Sequence, residues 1–269
     1  MKVLFVGPTL FDLVFEGRLA VAPDIVCRPP ASQGDIARAT LEGANVIGLV
    51  DGRYEDVAAP WHKEILFALD QGVAVLGAGS LGALRAAECA AFGMIGIGQN
   101  FRRYASGELV DDADVAQLHA PTEFGCFPIT EAFVNVEATI AQAKRVGDFT
   151  PEESGTLLRL ARRIFFKELT LETVAEQFSQ APAAAETALT RLVRNRVDIK
   201  RVDALQLVKA MSALPDARDR NPRRWTMAKS KTWLTLLAQV RAELERSDNE
   251  SGREKSPACA TADPIAAAA

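Results

Sequence analysis

Cysteine, histidine and tyrosine are scarce in this 269-residue chain, with four, two and two copies respectively. Cys27, Cys89, Cys126 and Cys259 are far apart and form no C-x-x-C pair, which leaves no basis for a zinc knuckle or a redox dithiol. With His62 and His119 as the only imidazoles, a transition-metal site would have to lean on carboxylates, and no metal is expected. No apolar run reaches the ~18 residues that cross a bilayer. The opening Met1–Gly7 reads as a first strand rather than a signal peptide. The expectation is a cytoplasmic protein with no membrane partner.

What is present is ordinary globular material: 48% hydrophobic and 25% charged residues, enough to build a real core. The net charge of −4 excludes a generic polyanion binder. It is unevenly spread, with 9 Lys/Arg against 15 Asp/Glu in residues 1–120 and 14 against 6 in residues 191–246.

The first hundred residues alternate short apolar runs with amphipathic stretches, the rhythm of strands and crossover helices in a parallel sheet. Strands are expected at Lys2–Gly7, Asp24–Arg28, Asn45–Val50, Val73–Gly77 and Met94–Gly98. Helices are expected near 32–42, 59–71 and 80–91, each followed by a glycine (Gly43, Gly72, Gly93) that suits a helix C-terminus. The implied fold is α/β, an open, mostly parallel, Rossmann-like sheet of about five strands with helices on both faces. From about 129 the period turns helical, with segments at 129–146, 151–166, 170–179, 183–195, 201–213 and 230–246. The expected organisation is an α/β core over 1–128, an all-α region over 129–246 and a disordered tail over 247–269.

The most informative stretch is Gly77-Ala78-Gly79-Ser80-Leu81-Gly82, after the fourth strand and before a helix. Gly77, Gly79 and Gly82 satisfy G-x-G-x-x-G, a dinucleotide fingerprint. That fingerprint belongs after the first strand, however, and no acidic residue ends the next one. Alternatively, Ala78–Gly82 is a small-x-Ser-x-Gly elbow. Ser80 would then be a nucleophile, and the Leu81 amide at the helix start would face a developing oxyanion. A serine at a helix start is also an ordinary cap, and that reading stays open.

A nucleophilic serine needs a base. Lys63 falls in the first turn of the helix after strand three, because Pro60 suits the first helical position. Both helix starts lie above the carboxyl ends of the strands, where open α/β sheets bind ligands. To act as a base, Lys63 would have to be buried, with Trp61 as apolar cover, since its ordinary pKa is about 10.4. The alternative is an exposed surface lysine.

Ordered blocks then resemble the TfuA-like family: Val6–Leu10, Arg28–Asp35, Ile47–Gly52, Trp61–Leu66, Gly77–Glu88, Phe92–Met94, Tyr104–Gly107 and Val110–His119, ending near Val134-Asn135. The chain departs from the family pattern at Gly79, at Ala113 and over Thr130–Phe133. The resemblance implies an accessory protein of peptide thioamidation that works beside a YcaO-type enzyme on a precursor peptide. It further implies hydrolysis of the C-terminal thiocarboxylate of a ubiquitin-like sulfur carrier protein, releasing sulfide, by a Ser–Lys pair whose roles fall on Ser80 and Lys63. No cofactor is implied.

Around that pair, Leu81, Gly79, Gly82, Asp51 and Gly52 are expected to shape the oxyanion site and pocket, although Asp51-Gly52 also suits a simple turn. Arg85, Glu88 and His62 are candidate substrate contacts. Against that, Arg85 and Glu88 are one helical turn apart, the spacing of a surface ion pair. The basic C-terminal stretch, with Trp225 and Trp233, reads as a docking face for an acidic protein rather than for nucleic acid. Two other functions stand beside the hydrolase: a noncatalytic YcaO adaptor and a dinucleotide-binding protein.

Overall fold

The computed structural model describes residues 1–19, 23–53, 55, 57–221 and 223–254. Five strands form one fully parallel sheet: β1 (Lys2–Phe5), β2 (Ile25–Arg28), β3 (Val46–Leu49), β4 (Ala74–Ala78) and β5 (Ile95–Ile97). Their order is β2-β1-β3-β4-β5. Every expected strand is present, with its ends displaced by no more than two residues; β4 runs one residue further than expected, to Ala78. The chain reverses its direction of travel at β1, so the helix that follows β1 and those that follow the later strands fall on opposite faces.

Alternate strand residues serve the two faces, as the β repeat requires. Val3, Phe5, Ile47, Leu49 and Val75 pack with α2 (Asp35–Leu41), α3 (His62–Asp70) and α4 (Leu81–Cys89). Leu4, Val6, Val46, Val50, Leu76 and Ala78 face the other way. The helix on that side, α1 (Phe11–Phe15), is only five residues long and was not expected from the sequence. Most of the face is covered instead by α10 (Ile199–Ala213), through Ala204, Leu207, Val208 and Met211. Gly48 is what lets α10 so close: a Cβ there would lie 2.2 Å from the Met211 sulfur.

Between sheet and α10 the chain forms α5 (Gly98–Ala105), also unexpected, and then α6 (Phe133–Arg145), α7 (Pro151–Ala161), α8 (Leu171–Phe178) and α9 (Pro182–Arg194). α6 to α9 share a separate apolar cluster that includes Phe133, Ile140, Phe149, Leu157, Val174 and Leu192. The helical stretch is therefore partly independent and partly a layer of the α/β sandwich. Residues Met1–Ala228 form one compact unit, and the second unit begins at Lys229. Within the second unit, α11 runs over Lys231–Glu254. It continues eight residues beyond the helix end expected at 246, into the segment expected to be tail; residues 255–269 lie outside the described residues.

Candidate functional site

The carboxyl ends of β1, β3 and β4 meet at one edge of the sheet, and the point where strand order reverses is where such sheets take ligands. Asp51, immediately after β3, is 2% exposed. One carboxylate oxygen accepts the Gly7 amide at 2.8 Å and the Thr9 amide at 3.1 Å, and the other accepts the Thr9 hydroxyl at 2.6 Å. It ties the β1 and β3 loops together across the reversal. Asp51 and Gly52 both line the adjoining cavity, although the carboxylate itself is spent on structure.

β4 runs into α4 through a tight elbow. The Ser80 amide donates to the Ala78 carbonyl at 2.8 Å, closing a three-residue turn around Gly79, whose φ is +70°. Ser80 precedes the first residue of α4, yet its side chain makes no capping bond. Its hydroxyl, 7% exposed as a residue, lies 3.4 Å from the Val115 carbonyl oxygen. The capping role is thus not the one this serine takes.

The same carbonyl holds a lysine, but not Lys63. Lys200, in the first turn of α10 and 1% exposed, donates from Nζ to Val115 O at 2.9 Å and to Gln117 Oε1 at 2.6 Å. Because hydroxyl and amine share one acceptor, their separation is bounded by those two contacts. Burial pushes the Lys200 pKa down, against the opposing pull of the Asp51, Asp198 and Glu131 carboxylates. Ser80 and Lys200 both line a cavity of about 540 Å³ whose wall is the Val115–His119 segment.

Two relays fix the pair. Asn135 Oδ1 accepts the Ile199 and Lys200 amides at 3.0 and 3.3 Å, while its Nδ2 donates to the Asp198 cap at 3.0 Å. Asp203, one turn along α10, accepts the Gln99 and Asn100 amides at 2.8 Å each, and Asn100 Nδ2 donates to the Gly79 carbonyl at 2.8 Å. α10 therefore carries the amine directly and steadies the serine elbow through α5.

Lys63 is not brought to this cavity. The phase of α3 is set by Glu64, fully buried and accepting the Gly34, Ala37 and Trp61 amides, together with Ile65 and Ala68. One residue earlier, Lys63 is turned toward the surface, where Nζ donates to the Ala228 carbonyl at 2.8 Å. His62, Arg85 and Glu88 also stand apart. Glu88 accepts from Arg85 at 2.6 Å and lies 2.8 Å from the His62 ring, and Arg85 reaches the Pro60 carbonyl. This is the surface ion pair, outside the serine cavity.

The three fingerprint glycines are accounted for by internal packing. A Cβ on Gly77 would lie 2.1 Å from the Gly82 carbonyl oxygen, one on Gly82 would lie 1.8 Å from that of Leu49, and one on Gly79 would meet that of Lys200. The approach that a pyrophosphate would use at Gly79 is filled by the start of α10. The Gly82 amide is spent on Val50 O at 3.1 Å. The Leu81 amide has no acceptor among the described residues.

Many C-terminal arginines are likewise engaged internally. Arg194 pairs with Asp148, Arg196 with Glu131 and Arg201 with Asp12. Arg218 and Arg223 donate to the carbonyls of Thr40, Ala44 and Leu69. These five arginines brace the fold from within the basic stretch. Among the described residues no His/Cys/Asp/Glu group could hold a metal ion, and no helix is long and apolar enough to cross a membrane.

Residues 51–170 match the family model described as TfuA-like protein. Over that segment the chain is similar to the TfuA-like family. The family implies an accessory role in thioamidation-type modification. No curated protein matches the chain. The matched segment contains Asp51, Ser80, Val115, Gln117 and Asn135, and it stops before Lys200. Lys200 was missed from sequence because it stood inside a run of basic residues. Because α10 starts at Ile199, two residues before the helix expected at 201–213, Lys200 falls in its first turn only in the structure.

Proposed function

We propose that this TfuA-like protein is a Ser–Lys hydrolase that cleaves the C-terminal thiocarboxylate of a ubiquitin-like sulfur carrier, supplying sulfide to a YcaO-type enzyme that modifies a precursor peptide. The observation that carries this reading is the convergence of the Ser80 hydroxyl and the buried Lys200 amine on one carbonyl, inside a cavity at the sheet's carboxyl edge.

The chemistry follows from those two groups. The Lys200 amine takes the Ser80 proton as Oγ bonds to the thiocarboxylate carbon. The tetrahedral oxyanion forms beside the start of α4, where the Leu81 amide is the donor left over. The Lys200 ammonium returns that proton to the sulfur as the C–S bond breaks, so hydrosulfide departs, an acyl-serine ester remains and Lys200 is again a free amine. Lys200 then draws a proton from water, hydroxide opens the ester, and carboxylate and serine are regenerated. Net, one thiocarboxylate and one water give one carboxylate and one hydrogen sulfide. The Lys200 ammonium supplies the one proton the departing sulfur needs, so no histidine is called for.

The test is sulfide release from a thiocarboxylated carrier. Ser80→Ala and Lys200→Met are each expected to abolish it, and Lys63→Ala to leave it intact. Undiminished release in the first two variants would overturn the hydrolase. If those same variants also supported peptide modification in a reconstituted system, the noncatalytic adaptor would take its place.

A further inference from the structure

We propose that Gln117 is the positioning residue that presents Lys200 to Ser80 as a free amine, by meeting its Nζ with an uncharged acceptor where a carboxylate would lock the proton in place. The inference rests on the Ser80–Lys200 reading of the site.

Among the described residues, the acceptors that Lys200 Nζ meets are both neutral oxygens: the Val115 carbonyl at 2.9 Å and Gln117 Oε1 at 2.6 Å. An uncharged amine has two N–H donors and one lone pair. With both donors directed at those oxygens, the lone pair is left for the serine, which already shares the Val115 oxygen.

Acids surround the lysine, but each is engaged elsewhere. Asp51, after β3, is held by Gly7 and Thr9, and Asp198, just before α10, by Asn135 and the Arg201 amide. Glu131, before α6, pairs with Arg196, and Asp203, on α10 itself, holds the start of α5. Around the cavity, Glu55 pairs with Lys167, and Arg53, Glu123 and His119 complete the charged lining. Gln117 is therefore where a single atom decides whether the amine faces a dipole or a charge.

The backbone that carries Gln117 is fixed on both sides. The Val115 and Ala116 amides donate to Asp112 and Ala113, the Leu118 amide donates to Thr130 Oγ1 at 2.8 Å, and the Leu118 carbonyl accepts from Ile129 at 2.8 Å.

Gln117→Glu changes one atom and inserts a charge, and an opposite charge at this range moves a pKa by about 1–3 units. The Lys200 titration can be read directly from the 13Cε resonance of lysine-labelled full-length protein, assigned by its loss in Lys200→Met. In Gln117→Glu its midpoint is expected to rise by about one pH unit or more. The acidic limb of sulfide release should move up with it, so that activity lost near neutrality returns in alkali. Gln117→Ala, which removes the acceptor without adding charge, should lower kcat by about tenfold, one lost hydrogen bond's worth, with KM unchanged. Superimposable Lys200 titrations in wild type and Gln117→Glu would overturn the proposal. A shifted titration without sulfide release in any form would instead overturn the hydrolase and leave the Gln117–Lys200 relationship standing.

Discussion

The carbonyl oxygen of Lys200 lies 2.9 Å from where a Cβ on Gly79 would stand. The backbone of the amine-bearing helix thus touches the turn that holds the serine, and at φ +70° the turn itself resists any side chain. Gly79→Ala is expected to destabilise the fold by about 2 kcal/mol or more, because left-handed strain and displacement of α10 add. Urea denaturation measures it. A change under about 0.5 kcal/mol would show that α10 is free to move away.

Stability should carry the signature of a lysine buried without its proton. With the folded pKa depressed and the unfolded one near the ordinary value, the unfolded chain binds more protons in the window between them, so stability rises with pH there. Lys200→Met removes that slope. The difference in unfolding free energy, wild type minus variant, should grow as pH rises toward about 10.4 and level off above it. A difference that is flat across that window would mean the amine is charged in the fold.

Asn135→Ala removes an acceptor from the Ile199 and Lys200 amides and a donor from Asp198. Buried amides left without partners cost about 1–3 kcal/mol. The loss should appear as faster hydrogen exchange at the start of α10, together with reduced turnover. Unchanged exchange at residues 199–201 would count against Asn135 as the clamp.

Asp51→Ala should be costlier, since it strands the Gly7 and Thr9 amides and the Thr9 hydroxyl at the strand-order reversal. A loss of about 3 kcal/mol or more is expected, given that hydrogen bonds to charged groups are worth about 1.5–3 kcal/mol each. A thermal melt that matches wild type would show the two loops to be held by other means.

The sheet was legible because its signals are local. Strands such as Val46–Leu49 are apolar on both faces and are punctuated by glycines. Ser80 could be singled out for the same reason, since small residues cluster where a strand turns sharply into a helix. The short α1 and α5 were not legible: Phe11–Phe15 is barely more than a turn, and Gly98–Ala105 begins on a glycine required by its φ of +93° and by the Asp203 carboxylate that sits against it. Lys200 was passed over for a related reason. It stands one residue before the helix expected at 201–213, and what further separates it from Lys63 is rotational phase and distant partners. Glu64 turns Lys63 outward, whereas Asn135 and Gln117 draw Lys200 in from 65 and 83 residues away.

The position of α10 bears on how relatives should be read. The segment that matches the family model contains Ser80, and Lys200 stands on a helix beyond its end. On the Ser80–Lys200 reading, a homologue could keep every residue of that signature and be inert. Sorting active from inactive members would then depend on inspecting the helix that closes the far side of the sheet.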